Sequence, residues 1–118
     1  MSNDLTKPTF TADVSLDAGD MVEFNASGNV IAATADTTEF AGVAITDVTS
    51  GNVVALYQDE VVNLTAGDAI VPGNALKVAA DQKVVPITAA LDPYDAVIGV
   101  AQSAAATDGD EVSVKLKR

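Results

Sequence analysis

The chain has 118 residues, enough for one domain on a modest core and too few for two independent ones. Seventeen acidic residues against six basic ones give a net charge of −11, which disfavours a phosphate-binding surface, and the absence of histidine and cysteine removes disulfides, thiolate metal sites and the commonest general base. Hydrophobic residues reach 48% with only 4% aromatic, so the chain should fold around small side chains and draw part of its stability from association.

Residues 1–8, Met-Ser-Asn-Asp-Leu-Thr-Lys-Pro, are polar and end in Pro8, which withholds a backbone donor. Two readings stand: a frayed terminus, or an extended arm (residues 1–13) that pairs with a partner's sheet edge. No basic stretch followed by an apolar run opens the chain, and no apolar run approaches the ~20 residues needed to span a bilayer. Synthesis in a cytoplasm, without membrane attachment, is the expectation.

From residue 9 the apolar period is two. Phe10, Ala12, Val14 and Leu16 fall on one face, and Thr9, Thr11, Asp13 and Ser15 on the other. Short β-branched runs follow at Met21–Phe24, Asn29–Ala33, Gly42–Val48, Val53–Tyr57, Ala69–Val71, Ala75–Ala79, Lys83–Thr88, Ala96–Ala101 and Glu111–Leu116. Gly, Asp and Asn punctuate them, at Asp17–Asp20, Ala26–Asn29, Ser50–Asn52, Pro72–Asn74 and Thr107–Asp110. The spacing predicts an all-β domain over 14–118, a compact sandwich or barrel of about ten short strands. Ser103–Ala106 is too short to nucleate a helix.

Recurring tripeptides suggest that the domain is duplicated. Ala18-Gly19-Asp20 returns as Ala66-Gly67-Asp68, and Gly42-Val43-Ala44 as Gly99-Val100-Ala101. Gly51-Asn52 and Gly109-Asp110 each open a β run. Chance recurrence in an Ala/Gly/Val-rich chain is the competing reading, but the common order favours halves at about 16–62 and 63–117, related by a pseudo-twofold axis around one core. Gly19, Asp20, Gly67 and Asp68 are then structural turn residues, and Gly42 and Gly99 mark bulges or close packing.

Chemistry is hard to build from this composition. No Ser-His-Asp or Cys-His arrangement is possible, and no glycine-rich phosphate loop occurs. Paired carboxylates leave a hydrolase formally open, but five aromatic residues are few for a sugar cleft. Asp108-Gly109-Asp110-Glu111 and Asp92-Pro93-Tyr94-Asp95 have the residue types of calcium loops without the twelve-residue pattern. The expectation is a non-enzyme with no cofactor and no metal. Four of the six basic residues lie at the ends, Lys7 at one and Lys115, Lys117 and Arg118 at the other, with Lys77 and Lys83 the exceptions in the body. The acidic body is then either simply a solvated surface, or a solvent face between two termini that touch something acidic.

One resemblance organises these features. The run Leu16-Asp17-Ala18-Gly19-Asp20-Met21-Val22, the segment Phe40–Thr46, the Gly67–Val78 run and the close Val97-Ile98-Gly99-Val100-Ala101-Gln102-Ser103-Ala104 resemble the small decoration, or capsid cement, proteins of tailed phages. The resemblance implies a β protein, commonly trimeric, on the outside of the expanded capsid at threefold and quasi-threefold positions. There it would hold neighbouring subunits of the major capsid protein against internal DNA pressure. The partners implied are the capsid protein and further copies of the chain, and not nucleic acid or membrane. Leu5, Lys7, Pro8 and Phe10 of the arm are the candidate capsid-binding residues. A ligand-binding module, such as a carbohydrate-binding or adhesin domain, is the alternative, weakened by the lack of tryptophan.

Overall fold

The computed structural model describes residues 8–87 and 96–117. The protein is all-β, and the described residues form ten strands in two five-stranded sheets. The first sheet contains β1 (Thr9–Thr11), β2 (Met21–Phe24), β3 (Val30–Ala32), β4 (Phe40–Ala44) and β5 (Val53–Tyr57), in the order β1-β5-β4-β2-β3. Its outer strands meet at a parallel bridge between Ala12 and Val30, reinforced by a 3.0 Å bond from Asp13 N–H to the Val30 carbonyl. The second sheet closes into a barrel of β6 (Val61–Ala66), β7 (Ala75–Ala79), β8 (Lys83–Pro86), β9 (Gly99–Ala101) and β10 (Glu111–Leu116), in the order β10-β6-β8-β7-β9. Closure pairs the strand edges that would otherwise invite aggregation.

The two sheets match register for register. Thr11 faces Val53 as Thr65 faces Glu111, and Phe10 faces Val54 as Leu64 faces Val112. Val22 faces Gly42 as Leu76 faces Gly99, and Phe24 faces Val30 as Val78 faces Val84. Even the isolated bridges correspond, Leu16 with Val48 and Ile70 with Ala105. Thus β1 to β5 are the counterparts of β6 to β10, in order.

This register corrects one expected pairing. Gly19 N–H donates to the Ala44 carbonyl (2.8 Å), and Ala44 N–H returns a bond to Asp20 (2.9 Å). In the second half the same exchange links Gly73, Ala101 and Asn74, at 2.8 and 2.9 Å. The counterpart of Ala18-Gly19-Asp20 is therefore Pro72-Gly73-Asn74, and not Ala66-Gly67-Asp68. The turn requires a left-handed residue, met by Gly19 (φ 93°) and Gly73 (φ 94°). It also requires a side-chain oxygen one place on, and Asp20 and Asn74 supply it to the N–H groups of Asp17 and Val71, both at 2.9 Å. Gly67 instead follows β6 and donates to Val84 (2.8 Å), the role Asp13 has in the first half.

Two other elements differ from expectation. Val61–Ala66 forms β6, which is not among the runs given above, and the run expected at Ala69–Val71 is only the single bridge at Ile70. The first run ends at Thr11, although Ala12 and Leu16 go on to bridge other strands. Residues 9–12 of the expected arm therefore lie in the first sheet, and residues 1–7 lie outside the described residues.

Packing also departs from a single core. Ala12, Leu16, Val22, Val30, Ala41, Ala44, Val48, Val54 and Leu56 fill the first barrel. Leu64, Ile70, Leu76, Val78, Val84, Ile98, Val112, Val114 and Leu116 help fill the second. Met21, Phe40 and Val43 leave the first barrel through its wall and pack into the second cluster. This is why β4 is buried along its whole length. Their counterparts Ala75, Val97 and Val100 belong to neither buried cluster, so the two halves use this wall unequally.

The junction is pinned by Gln82. Its Oε1 accepts from Met21 N–H at 2.6 Å, and its Nε2 donates to the Met21 carbonyl at 3.0 Å. Gln82 reaches this position from a 3₁₀ turn, Ala80–Gln82, in which Asp81 and Gln82 both adopt left-handed backbone (φ 63° and 60°). Such conformations cost non-glycine residues about 1 kcal/mol or more each, so the clamp must offset them. Asp36 completes the contact. Its N–H donates to the Val78 carbonyl (2.8 Å) and its carboxylate pairs with Lys77 (2.7 Å).

Candidate docking surfaces

The residues expected to bind a capsid divide between described and undescribed parts of the chain. Leu5 and Lys7 lie outside the described residues. Pro8 is half-buried and its carbonyl accepts from Leu56 N–H (3.1 Å), so it is an extension of β1. Phe10 is half-buried and stands edge-on to Phe24, with ring centroids 5.1 Å apart at 77°. Both rings pack against the first core cluster.

The expected turn residues have structural partners. Asp68 caps the following residue by accepting from Ala69 N–H (2.8 Å). Gly42 and Gly99 mark the tightest backbone approaches. A Cβ on Gly42 would collide with the Tyr57 carbonyl oxygen, and one on Gly99 with that of Lys115. Glycine is thus required on β4 and β9 so that β5 and β10 can lie against them.

The duplication exposes one surface in two chemistries. In the first half, the bridge of Leu16 and Val48 is flanked by Ser15, Asp17, Asp47 and Thr49. In the second half, the bridge of Ile70 and Ala105 is flanked by Ala69, Val71, Ala104 and Ala106. The same backbone framework therefore presents a polar, acidic groove on one barrel and an apolar one on the other. Val71 is 60% exposed at its edge. Sequence reading missed the groove because Ala69–Val71 was taken for a strand, and the signal lay in comparing it with Ser15–Asp17.

Charged groups near these surfaces serve the fold. Lys83 pairs with Asp108 at 2.8 Å, and that hydrogen bond and charge raise the lysine above its ordinary pKa of 10.5. Lys115 pairs with Asp59 at 3.0 Å. Of the two acidic loops with calcium-type residues, Asp92–Asp95 lies outside the described residues. In the other, Asp110 caps Ala106 and Thr107 N–H at 3.0 and 3.1 Å, and Asp108 is committed to Lys83. Among the described residues, no three acidic side chains converge as a metal site would require.

Comparison with known proteins fits this architecture. Among solved structures, the crystal structure of the N base of head fiber gp8.5 from bacteriophage phi29 superposes with a TM-score of 0.67 at 24% identity, covering 95% of this chain and 93% of that one. No curated protein matches at the level of sequence. The family model of phage cement proteins matches residues 7–116, which takes in every strand of both barrels. The chain belongs to the phage cement protein family.

Proposed function

We propose that the protein decorates the exterior of an expanded phage head, as a trimer at threefold and quasi-threefold positions, and stabilises the shell against internal DNA pressure. Membership of the phage cement family is the observation that carries this reading. The architecture suits it. A cement acts by contact, so it needs rigidity, solubility and many copies, and no catalytic group. A closed second barrel, and a first sheet whose outer strands meet at the Ala12–Val30 bridge, leave little edge for aggregation, and a net charge of −11 keeps concentrated protein dispersed. Modest interfaces repeated over a shell add up through multivalency. The partners are the major capsid protein and other copies of the chain, with synthesis in the host cytoplasm and no role for nucleic acid, membrane or cofactor.

Within this reading the N-terminal arm contributes to attachment. Because Thr9–Thr11 is a barrel strand, the arm is tested by deleting residues 1–7. The test of the whole proposal is cosedimentation of the purified protein with expanded and unexpanded heads. Binding to expanded heads alone is the expected result. Binding to neither, or to both equally, contradicts it.

A further inference from the structure

We infer that the groove at the Ile70–Ala105 bridge is the seat of the second barrel on the capsid, and that it takes an apolar protrusion of the major capsid protein flanked by basic side chains. The inference deepens the decoration reading and rests on it. It starts from an inversion between the two halves. In the first half the groove is polar at its centre, with Ser15, Asp17, Asp47 and Thr49 beside the Leu16–Val48 bridge. Its margins are apolar: Val14 precedes it and Val53 lines it, 38% and 62% exposed. In the second half the register sets Ala69, Val71, Ala104 and Ala106 in the four central places, all exposed. Val14 and Val53 give way to Asp68 and Glu111, which are also exposed.

The fold does not require this exchange. The first half adopts the same backbone with polar residues in all four central places, so packing does not hold their apolar counterparts there. Exposed apolar groups on a chain of −11 gain nothing until something covers them. An apolar centre inside an acidic margin is the anatomy of a contact surface.

The edges of the groove restrict how a partner engages it. Around a hydrogen-bonded pair such as Ile70 and Ala105, the flanking residues turn their N–H groups away from the facing strand. Three of those donors are already taken. Ala69 N–H goes to Asp68 (2.8 Å), Val71 N–H to Asn74 (2.9 Å) and Ala106 N–H to Asp110 (3.0 Å). An added strand would have to displace them, so the occupant packs by side chains and not by main-chain pairing.

Charge selects the occupant. A second copy brings the same acidic margin, and two such grooves face to face set carboxylate against carboxylate. A protrusion flanked by lysine or arginine instead meets Asp68 and Glu111 with opposite charge, while its apolar tip covers Val71 and the three alanines. The major capsid protein is the partner that the decoration reading supplies for it.

The test is cosedimentation of the full chain with expanded heads, using a double variant, Val71→Asp with Ala104→Asp, that writes the residues of the first half into the second. Circular dichroism verifies its fold. Attachment should weaken at least about tenfold, because the new carboxylates are buried against an apolar tip, and sedimentation of the free protein should not change. Glu111→Lys should also weaken attachment, most at low salt. A second form of the test does not ask a variant to fold with new charge. The chain has no cysteine, so Val71→Cys can be folded first and then coupled to a polyethylene glycol maleimide. This group should block attachment, and the same group on Asp17→Cys should not. Wild type that binds no heads overturns the decoration reading and this inference with it. Wild type that binds, with the double variant and the coupled Val71→Cys binding equally well, overturns the inference alone. Glu111→Lys that binds as well as wild type at low salt overturns the basic flanks. Lost attachment together with altered sedimentation of the free protein assigns the groove to another copy and overturns the capsid protein as its occupant.

Discussion

Truncating Gln82 to alanine removes the clamp between the barrels without touching either core. Met21 is 1% exposed, so no water replaces the amide that its N–H loses. Its carbonyl remains paired, because Ala33 N–H also donates to it at 2.9 Å. The variant therefore orphans one buried donor, at a cost of about 2 kcal/mol. For a domain of this size that is a fall in Tm of roughly 8 °C. Gln82→Gly loses the same bonds but relieves the left-handed backbone at φ 60°, recovering about 1 kcal/mol. The expected order of stability is wild type, then Q82G, then Q82A, measured by urea and thermal unfolding followed in the far ultraviolet. A Q82A protein within about 0.5 kcal/mol of wild type would refute the clamp, and Q82A more stable than Q82G would refute the strain.

Four further outcomes follow from the geometry. Gly99→Ala and Gly42→Ala should each cost well over 2 kcal/mol in urea unfolding, because a Cβ meets backbone oxygen, while Gly73→Ala, facing open space at φ 94°, should cost only about 1 kcal/mol. Leu76→Ala, fully buried in the second barrel, should lose about 2–5 kcal/mol by the same assay. The Lys83–Asp108 pair should show in the pH dependence of stability. A lysine raised above 10.5 contributes fully below that value and loses its contribution as pH climbs through the raised one, so the gap between wild type and Lys83→Met should hold from neutral pH to about 10 and close above it. Deleting residues 1–7 should reduce attachment to expanded heads in cosedimentation while leaving Tm unchanged, and unchanged attachment would remove the arm from the binding surface.

Much of the fold was legible because strands announce themselves by local chemistry. Met21–Phe24, Val53–Tyr57, Ala75–Ala79 and Glu111–Leu116 fall where alternating or β-branched runs lie between Gly, Asp and Asn turns. The duplication was visible at Gly42 and Gly99, where backbone contact tolerates only glycine, and at Gly51-Asn52 and Gly109-Asp110, which open β5 and β10. It was misread at the AGD turn because that turn conserves a conformation and an acceptor rather than letters. Proline replaces alanine and asparagine replaces aspartate; the turn's own hydrogen bonds are kept, and the Ala18 N–H bond to Asp47 Oδ1 has no equivalent at Pro72. The misreading hid β6, whose first residues sit at the supposed boundary. The junction was not legible at all. Gln82 and Asp36 are ordinary polar residues in sequence, and only the fold brings them to Met21 and Val78. The same holds for the apolar groove at Ile70 and Ala105, whose meaning comes from its polar counterpart at Leu16 and Val48.

The capsid-binding account is tested most directly by electron cryomicroscopy of expanded heads before and after addition of the purified protein. The account predicts new density on the outer surface, at threefold and quasi-threefold positions, that accommodates a two-lobed body of about 36 × 32 × 24 Å per copy. Heads that gain no ordered density outside, or gain it only on the inner surface, would contradict it.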